Sequence, residues 1–134
     1  YITKRRDNTP PKTKLLCMNF SLSTSPERVK LNTLVKSSFS SFCDILPFVP
    51  PTKTYFIPSH IEGKIRIQET NSKCYEDWEP YMFILSPQGA GHDCHRTWEA
   101  LVLGCIPIVK KSKIDNLYKD LPVLILDKSQ FIAL

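Results

Sequence analysis

No run in this sequence is long and apolar enough to cross a bilayer. The longest candidates, Tyr81–Leu85 and Leu121–Leu126, are far too short. The N-terminal stretch, Tyr1 to Lys14, is polar and basic and lacks the apolar core of a signal peptide. The chain has five cysteines, an odd number, and none forms a Cys-x-x-Cys pair. Cys17 and Cys105 lie inside apolar runs and read as small buried hydrophobes. Internal repeats and low-complexity stretches are missing. So is Gly-Lys-Ser/Thr, which removes the phosphate loop of the P-loop nucleotidases. No basic patch is interleaved with aromatics in the manner of a nucleic-acid groove, so no nucleic-acid partner is expected.

What remains is an ordinary globular composition: 134 residues, 42% hydrophobic and 23% charged. That length suffices for one domain with a proper core. The net charge is +5, concentrated at Lys4-Arg5-Arg6, Lys12 and Lys14 and again at Lys110, Lys111 and Lys113. The first cluster reads as a solvated tail. The second follows a strand end, where positive charge favours an anionic ligand. Residues 1–13 read as an extended, flexible lead and 14–134 as a single lobe. The last residues, Ser129 to Leu134, read as the opening turn of a helix that is cut off, so a fragment of a longer protein is expected. The compartment is not legible. The sequon Asn19-Phe20-Ser21 sits at a strand end, where chance explains it.

Leu15 to Phe20 predicts a strand. Ser25-Pro26-Glu27 then opens a helix: the serine caps, proline suits the first helical position, and the glutamate favours the positive end of the dipole. Val29, Leu31, Leu34 and Val35 continue it at helical spacing. Four prolines (Pro47, Pro50, Pro51, Pro58) turn 44–60 into loop, with one short strand at Thr54–Ile57. Ile61–Ile67 alternates as a strand does, and Ser72–Glu79 predicts a short helix. The C-terminal half is clearer. Tyr81–Leu85 is a continuous apolar run, as for a strand buried on both faces. Asp93–Leu103 predicts a helix with Cys94, Trp98, Leu101 and Val102 on one side, ended by Gly104. Ile106–Val109 and Pro122–Leu126 are further strands. Strand, loop, helix, strand at this length is a parallel βαβ unit, and the fold class is α/β with a Rossmann-like parallel sheet and flanking helices.

Ligands of parallel α/β sheets bind beyond the carboxyl ends of the strands. There the loop Ser86-Pro87-Gln88-Gly89-Ala90-Gly91 leads into the helix, whose start offers unpaired N–H groups and the positive dipole end to a phosphate or diphosphate. Gly89 and Gly91 let the main chain approach such a guest. His92 and His95, and Arg96 and Glu99, are each spaced to share one helix face with Asp93 beside them. The Arg96 fork suits phosphate oxygens. Glu99, further along, can accept from the vicinal diol of a ribose. The competing explanation of Arg96 and Glu99 is a surface ion pair of small energetic weight. A zinc site from His92, Asp93, Cys94 and His95 is not expected, because consecutive helix residues point about 100° apart and at most two converge. His60 would have to complete it. The same angle argues against a Cys94–His95 nucleophile and base.

The segment from Phe83 to Val109 resembles the C-terminal signature of exostosin-like glycosyltransferases of the GT-B type. That signature is an apolar strand, Ser-Pro-x-Gly, an arginine, Glu-Ala-Leu three residues on, and Gly, often Cys, then Ile/Val-Pro-Ile/Val, here Ser86-Pro87-Gln88-Gly89, Arg96, Glu99-Ala100-Leu101 and Gly104 to Ile108. The resemblance implies a lobe that binds a nucleotide diphosphate sugar, with Arg96 and the loop Ser86 to Gly91 near the diphosphate and Glu99 at the ribose. It implies transfer of the sugar to a glycan or other hydroxyl acceptor, with inversion and a general base supplied by a missing N-terminal acceptor lobe; with the helix start at His92-Asp93 and Arg96 to stabilise the leaving diphosphate, no metal and no separate cofactor are expected. The donor-binding set expected from residues and resemblance together is Ser86, Gly89, Gly91, His92, Asp93, Arg96 and Glu99. Two alternatives stand beside it. One is a non-catalytic nucleotide-binding module. The other is a dinucleotide-binding oxidoreductase, disfavoured because the third glycine position is Cys94 and Val109-Lys110-Lys111 supplies no acid for an adenosine ribose.

Overall fold

The computed structural model describes residues 10–48, 50, 53–58, 64–69 and 72–133. Most of the expected basic lead, including Lys4, Arg5 and Arg6, lies outside them, as does His60. Lys12 and Thr13, assigned to that lead, are docked: Lys12 Nζ donates to the carbonyls of Glu79 (2.8 Å) and Leu103 (2.9 Å), and Thr13 N donates to Pro80 O.

The sheet is the α/β arrangement expected. Five strands, β1 (Lys14–Met18), β2 (Cys43–Ile45), β5 (Tyr81–Leu85), β6 (Ile106–Lys110) and β7 (Leu124–Leu126), run all parallel in the order β2-β1-β5-β6-β7. β3 (Lys53–Pro58) and β4 (Lys64–Glu69) pair antiparallel in a separate two-stranded sheet. The central strands are near-continuous apolar runs because both their faces are covered. Pro107 is tolerated in β6 because pairing with β7 starts one residue later, at Ile108. β2 was not expected: Cys43-Asp44-Ile45 is too short and mixed to show a period, and it exists by pairing with Leu16 to Met18.

Helix α1 (Pro26–Leu34) begins as its sequence predicts, with Pro26 in the first turn and Ser25 Oγ accepting from Glu27 N at 3.2 Å. A π-helical turn, Val35–Phe39, extends it. The face α1 presents is not the one expected. Leu31 and Val35 are buried, but Val29 is 47% exposed and its place is taken by Arg28. The shorter helices are α2 (Ser72–Trp78), α3 (His95–Val102) and α4 (Lys128–Ala133), with a 3-10 turn at Asp115–Tyr118.

Two apolar clusters sandwich the sheet. Met18, Leu85 and Ile108 meet Leu31 of α1, Val35 of the π-helical turn and Cys43 on one face. Cys17 and Ile84, one residue out of phase, meet Trp78, Ala100, Leu103 and Cys105 on the other. Each fully buried aliphatic side chain contributes about 1.5–3 kcal/mol. α3 ends in a Schellman motif: Gly104 takes φ 68°, its N–H reaches Leu101 O, and Cys105 N reaches Ala100 O. The buried side of α3 is Arg96, Thr97 and Ala100, whereas the expected Val102 is 55% exposed. The helix starts at His95, not Asp93, because Cys94 is extended (φ −132°, ψ 125°) and acts as the N-cap.

Candidate functional site

From β1 the chain moves outward to β2, then returns past β1 to lay down β5, β6 and β7 on the other side. The direction of winding therefore reverses between β1 and β5. That is the topological switch point at which open α/β sheets bind ligands, in the crevice beyond the strand ends. Two loops bound it, 19–25 after β1 and 86–94 after β5.

Arg28, from the first turn of α1, spans the two loops. Its Nη1 donates to Ser21 O (3.2 Å), its Nε to Gln88 O (2.9 Å), and its Nη2 to Pro87 O (3.1 Å) and Cys94 Sγ (3.6 Å). It is 5% exposed. Gly89 is explained by this brace: a Cβ there would lie 3.1 Å from Arg28 Nη2. The loop glycine thus makes room for an arginine of the protein itself. Gly91 is different, because a Cβ would meet nothing within 4 Å. Of the two glycines expected to admit a phosphate, only Gly91 faces open space.

Arg96 stands beside Arg28. It is 8% exposed, and its guanidinium lies between the rings of Phe20 (5.6 Å to the centroid) and Trp78 (5.8 Å). Phe20 carries Arg28 on the same ring, at 5.4 Å. The one hydrogen bond Arg96 side-chain nitrogens make among the described residues is from Nη1 to Cys94 Sγ, at 3.7 Å, and Nε has no partner. Burial lowers the guanidinium pKa below its ordinary value, and the Arg28 charge adds to that. Cation–π contacts offset part of the desolvation of such a group. Glu99 favours the charged form from a distance, and a buried charge without a contacting partner still costs several kcal/mol. An anion at this spot removes that cost.

Arg96 and Glu99 do not pair with each other among the described residues. The surface ion pair is thereby ruled out as their explanation. Glu99 is half-buried and its Oε1 accepts from Tyr75 Oη at 3.1 Å, leaving Oε2 without a hydrogen bond among the described residues. Ser86 is 2% exposed, and its hydroxyl is bonded to Thr97 Oγ1 at 2.9 Å, so it joins β5 to α3 and does not face the crevice. Asp93 precedes the helix and accepts from Trp98 Nε1 at 2.7 Å; Trp98 in turn packs on Tyr118. His92 and His95 are exposed, and since His92 lies outside the helix the shared face expected for the four residues does not form. Lys110, in the second basic cluster, is paired with Glu27 at the start of α1; Lys111 and Lys113 are exposed. The sequon is closed: Asn19 is 4% exposed and its Nδ2 donates to Pro47 O at 2.8 Å.

No protein-family model matches the chain, and no curated protein matches it significantly.

Four side chains of the site escape sequence reasoning: Arg28, Phe20, Trp78 and Tyr75. A signal existed for the first. A cation in the opening turn of a helix opposes the dipole. Arg28 and Arg96 both occupy such positions, which marks each as placed for a tertiary reason. The aromatics carried no signal, since their partners come from distant elements.

Proposed function

We propose that this chain is the donor-binding lobe of an exostosin-like glycosyltransferase of the GT-B type, which binds a nucleotide diphosphate sugar at the switch point between β1 and β5. The observation that supports it most is Arg96: a buried guanidinium, packed against two aromatic rings, with no carboxylate ion-paired to it among the described residues. In this reading the diphosphate lies against Arg96 and the start of α3, over the open side of Gly91. The ribose diol reaches the free oxygen of Glu99. The family resemblance adds inversion at the anomeric carbon, and a leaving diphosphate stabilised by protein cations and the helix start.

Isothermal calorimetry with uridine and guanosine diphosphate, the plain nucleosides and a nicotinamide dinucleotide tests it. Nucleoside diphosphate is expected to bind 1:1, more tightly than nucleoside, and equally well in the presence of a chelator. Preference for the nicotinamide dinucleotide would replace the reading with the oxidoreductase one. A second reading, a nucleotide-binding module without catalysis, draws on the engagement of the nearby carboxylates: Asp93 is tied to Trp98, and one oxygen of Glu99 to Tyr75. Assay of transfer or donor hydrolysis, with the acceptor lobe supplied in the full-length protein, separates the two.

A further inference from the structure

Four of the five cysteines are placed to be inert. Cys17, Cys43 and Cys105 are buried, and burial raises the pKa of each. Cys74 is half-buried, and burial pushes it up to about 11 with Glu99 adding. Cys94 shares the partial exposure of Cys74 but is different on two counts. It stands at the N-cap of α3, and its Sγ accepts from two guanidiniums, Arg28 Nη2 at 3.6 Å and Arg96 Nη1 at 3.7 Å. A lone thiol would mean little. Here two arginines, each more than nine-tenths buried, point at one sulfur, and neither is paired with a carboxylate among the described residues. Arg96 keeps an unsatisfied Nε beside it.

We propose that Cys94 is a modification site: the selectively reactive thiol of this chain, taking carboxylate-bearing disulfides into mixed-disulfide linkage. The thiol proton passes to solvent. The sulfur then attacks one sulfur of the reagent, the Sγ–S bond forms, the reagent S–S bond breaks, and the second half leaves as a thiolate with the electron pair. The reagent is the oxidant, and nothing else is consumed. The transition state spreads negative charge over three sulfurs in line. Arg28, Arg96 and the helix start lie where that charge develops, and they also draw an anionic reagent toward the crevice. The carboxylates of the bound half then meet Arg96, which is the counter-charge it lacks.

The test needs no nucleotide, so its outcome is independent of the glycosyltransferase reading. The folded chain is treated with three disulfides: the dianionic 5,5′-dithiobis(2-nitrobenzoate), neutral 4,4′-dithiodipyridine and cationic cystamine. Rates are normalised to those of the urea-unfolded chain, and the labelled peptide is mapped by mass spectrometry. One fast thiol is expected, mapping to Cys94, with the normalised rate for the dianion about ten-fold or more above that for cystamine. The preference should shrink in high salt. Cys94→Ser, which keeps the shape of the site, should abolish the fast phase, and Arg96→Met should keep the fast thiol but reduce its preference for the dianion. Fast labelling that maps to Cys74, or equal normalised rates for anionic and cationic reagents at Cys94, would overturn the proposal.

Discussion

Arg96 and Glu99 sit one turn apart on the same helix, yet the structure gives them opposite energetic characters. Glu99 is half-buried and comfortably bonded to Tyr75. Arg96 is a buried cation with no carboxylate in direct contact among the described residues. Replacing a buried charge by an apolar side chain of similar volume is commonly neutral or stabilising. Arg96→Met should therefore leave the midpoint of urea unfolding unchanged or raise it, by about 1 kcal/mol in stability, while weakening nucleoside diphosphate binding by about 1–3 kcal/mol. Nucleoside binding should hardly change. Glu99→Gln keeps an acceptor for Tyr75, so stability should hold, and diphosphate and nucleoside should weaken alike. Calorimetry and urea titration on both variants check this; loss of stability in Arg96→Met without loss of binding would make the arginine a purely structural residue. The two loop glycines divide in a related way. Gly89→Ala drives a Cβ to 3.1 Å from a braced guanidinium, and about 1 kcal/mol of stability should go. Gly91→Ala meets open space and should cost no stability, while reducing diphosphate affinity. Thermal melts with and without uridine diphosphate separate the two effects.

At the scale of elements, the parts that were legible are those whose structure is set locally. α1 begins where Ser25 and Pro26 place it, α3 ends where Gly104 allows a left-handed residue, and β5 and β6 follow their apolar runs. What escaped was set by distant partners. β2 needs β1 to exist, and the buried face of α3 is decided by Phe20, Trp78 and Ser86, none of them within the helix. The start of α3 was displaced by two residues because a cysteine, not a serine or aspartate, occupies the N-cap and makes no capping hydrogen bond. Its sulfur faces the two arginines instead. That leads to a prediction: Cys94→Ser supplies the missing cap, and stability should rise by about 0.5–1 kcal/mol. Ser25→Ala, which deletes the bond to Glu27 N, should cost about the same amount. An unchanged unfolding midpoint in both variants would show that tertiary packing, not capping, fixes these helix starts.

For the whole molecule, the candidate site was legible to the extent that it followed from fold and motif together. A parallel sheet, a glycine-bearing loop and a helix start predicted an anion seat beyond the carboxyl ends of the strands. The placement of each residue required the topology, which brings α1 and its Arg28 to the same crevice and turns Ser86 inward. The same packing decides how the chain responds to pH. Burial raises the thiols of Cys43 and Cys74 from 9.0 to about 11, and burial together with Asp44 raises the phenol of Tyr81 from 10.0 to about 12. Cys17 and Cys105 shift in the same direction. Above pH 9 the unfolded chain releases these protons first and the folded chain keeps them, so alkali favours unfolding. The contribution of these groups is fully present below about pH 9 and is lost as pH rises through about 11 for the thiols and about 12 for the tyrosine. On the acid side, Asp44 is held below its ordinary value by the Tyr81 hydroxyl and then by Lys14, but it is an exposed group and contributes little. Stability should thus be flat near neutrality and fall steeply in alkali. Urea midpoints measured at pH 7, 9 and 11 test this, and a Cys43→Ala variant should show a shallower alkaline decline than the parent. A midpoint that stays constant to pH 11 would mean that the buried thiols ionise without opposing the fold, which is incompatible with a sheet whose two faces are closed around Cys17, Cys43 and Cys105.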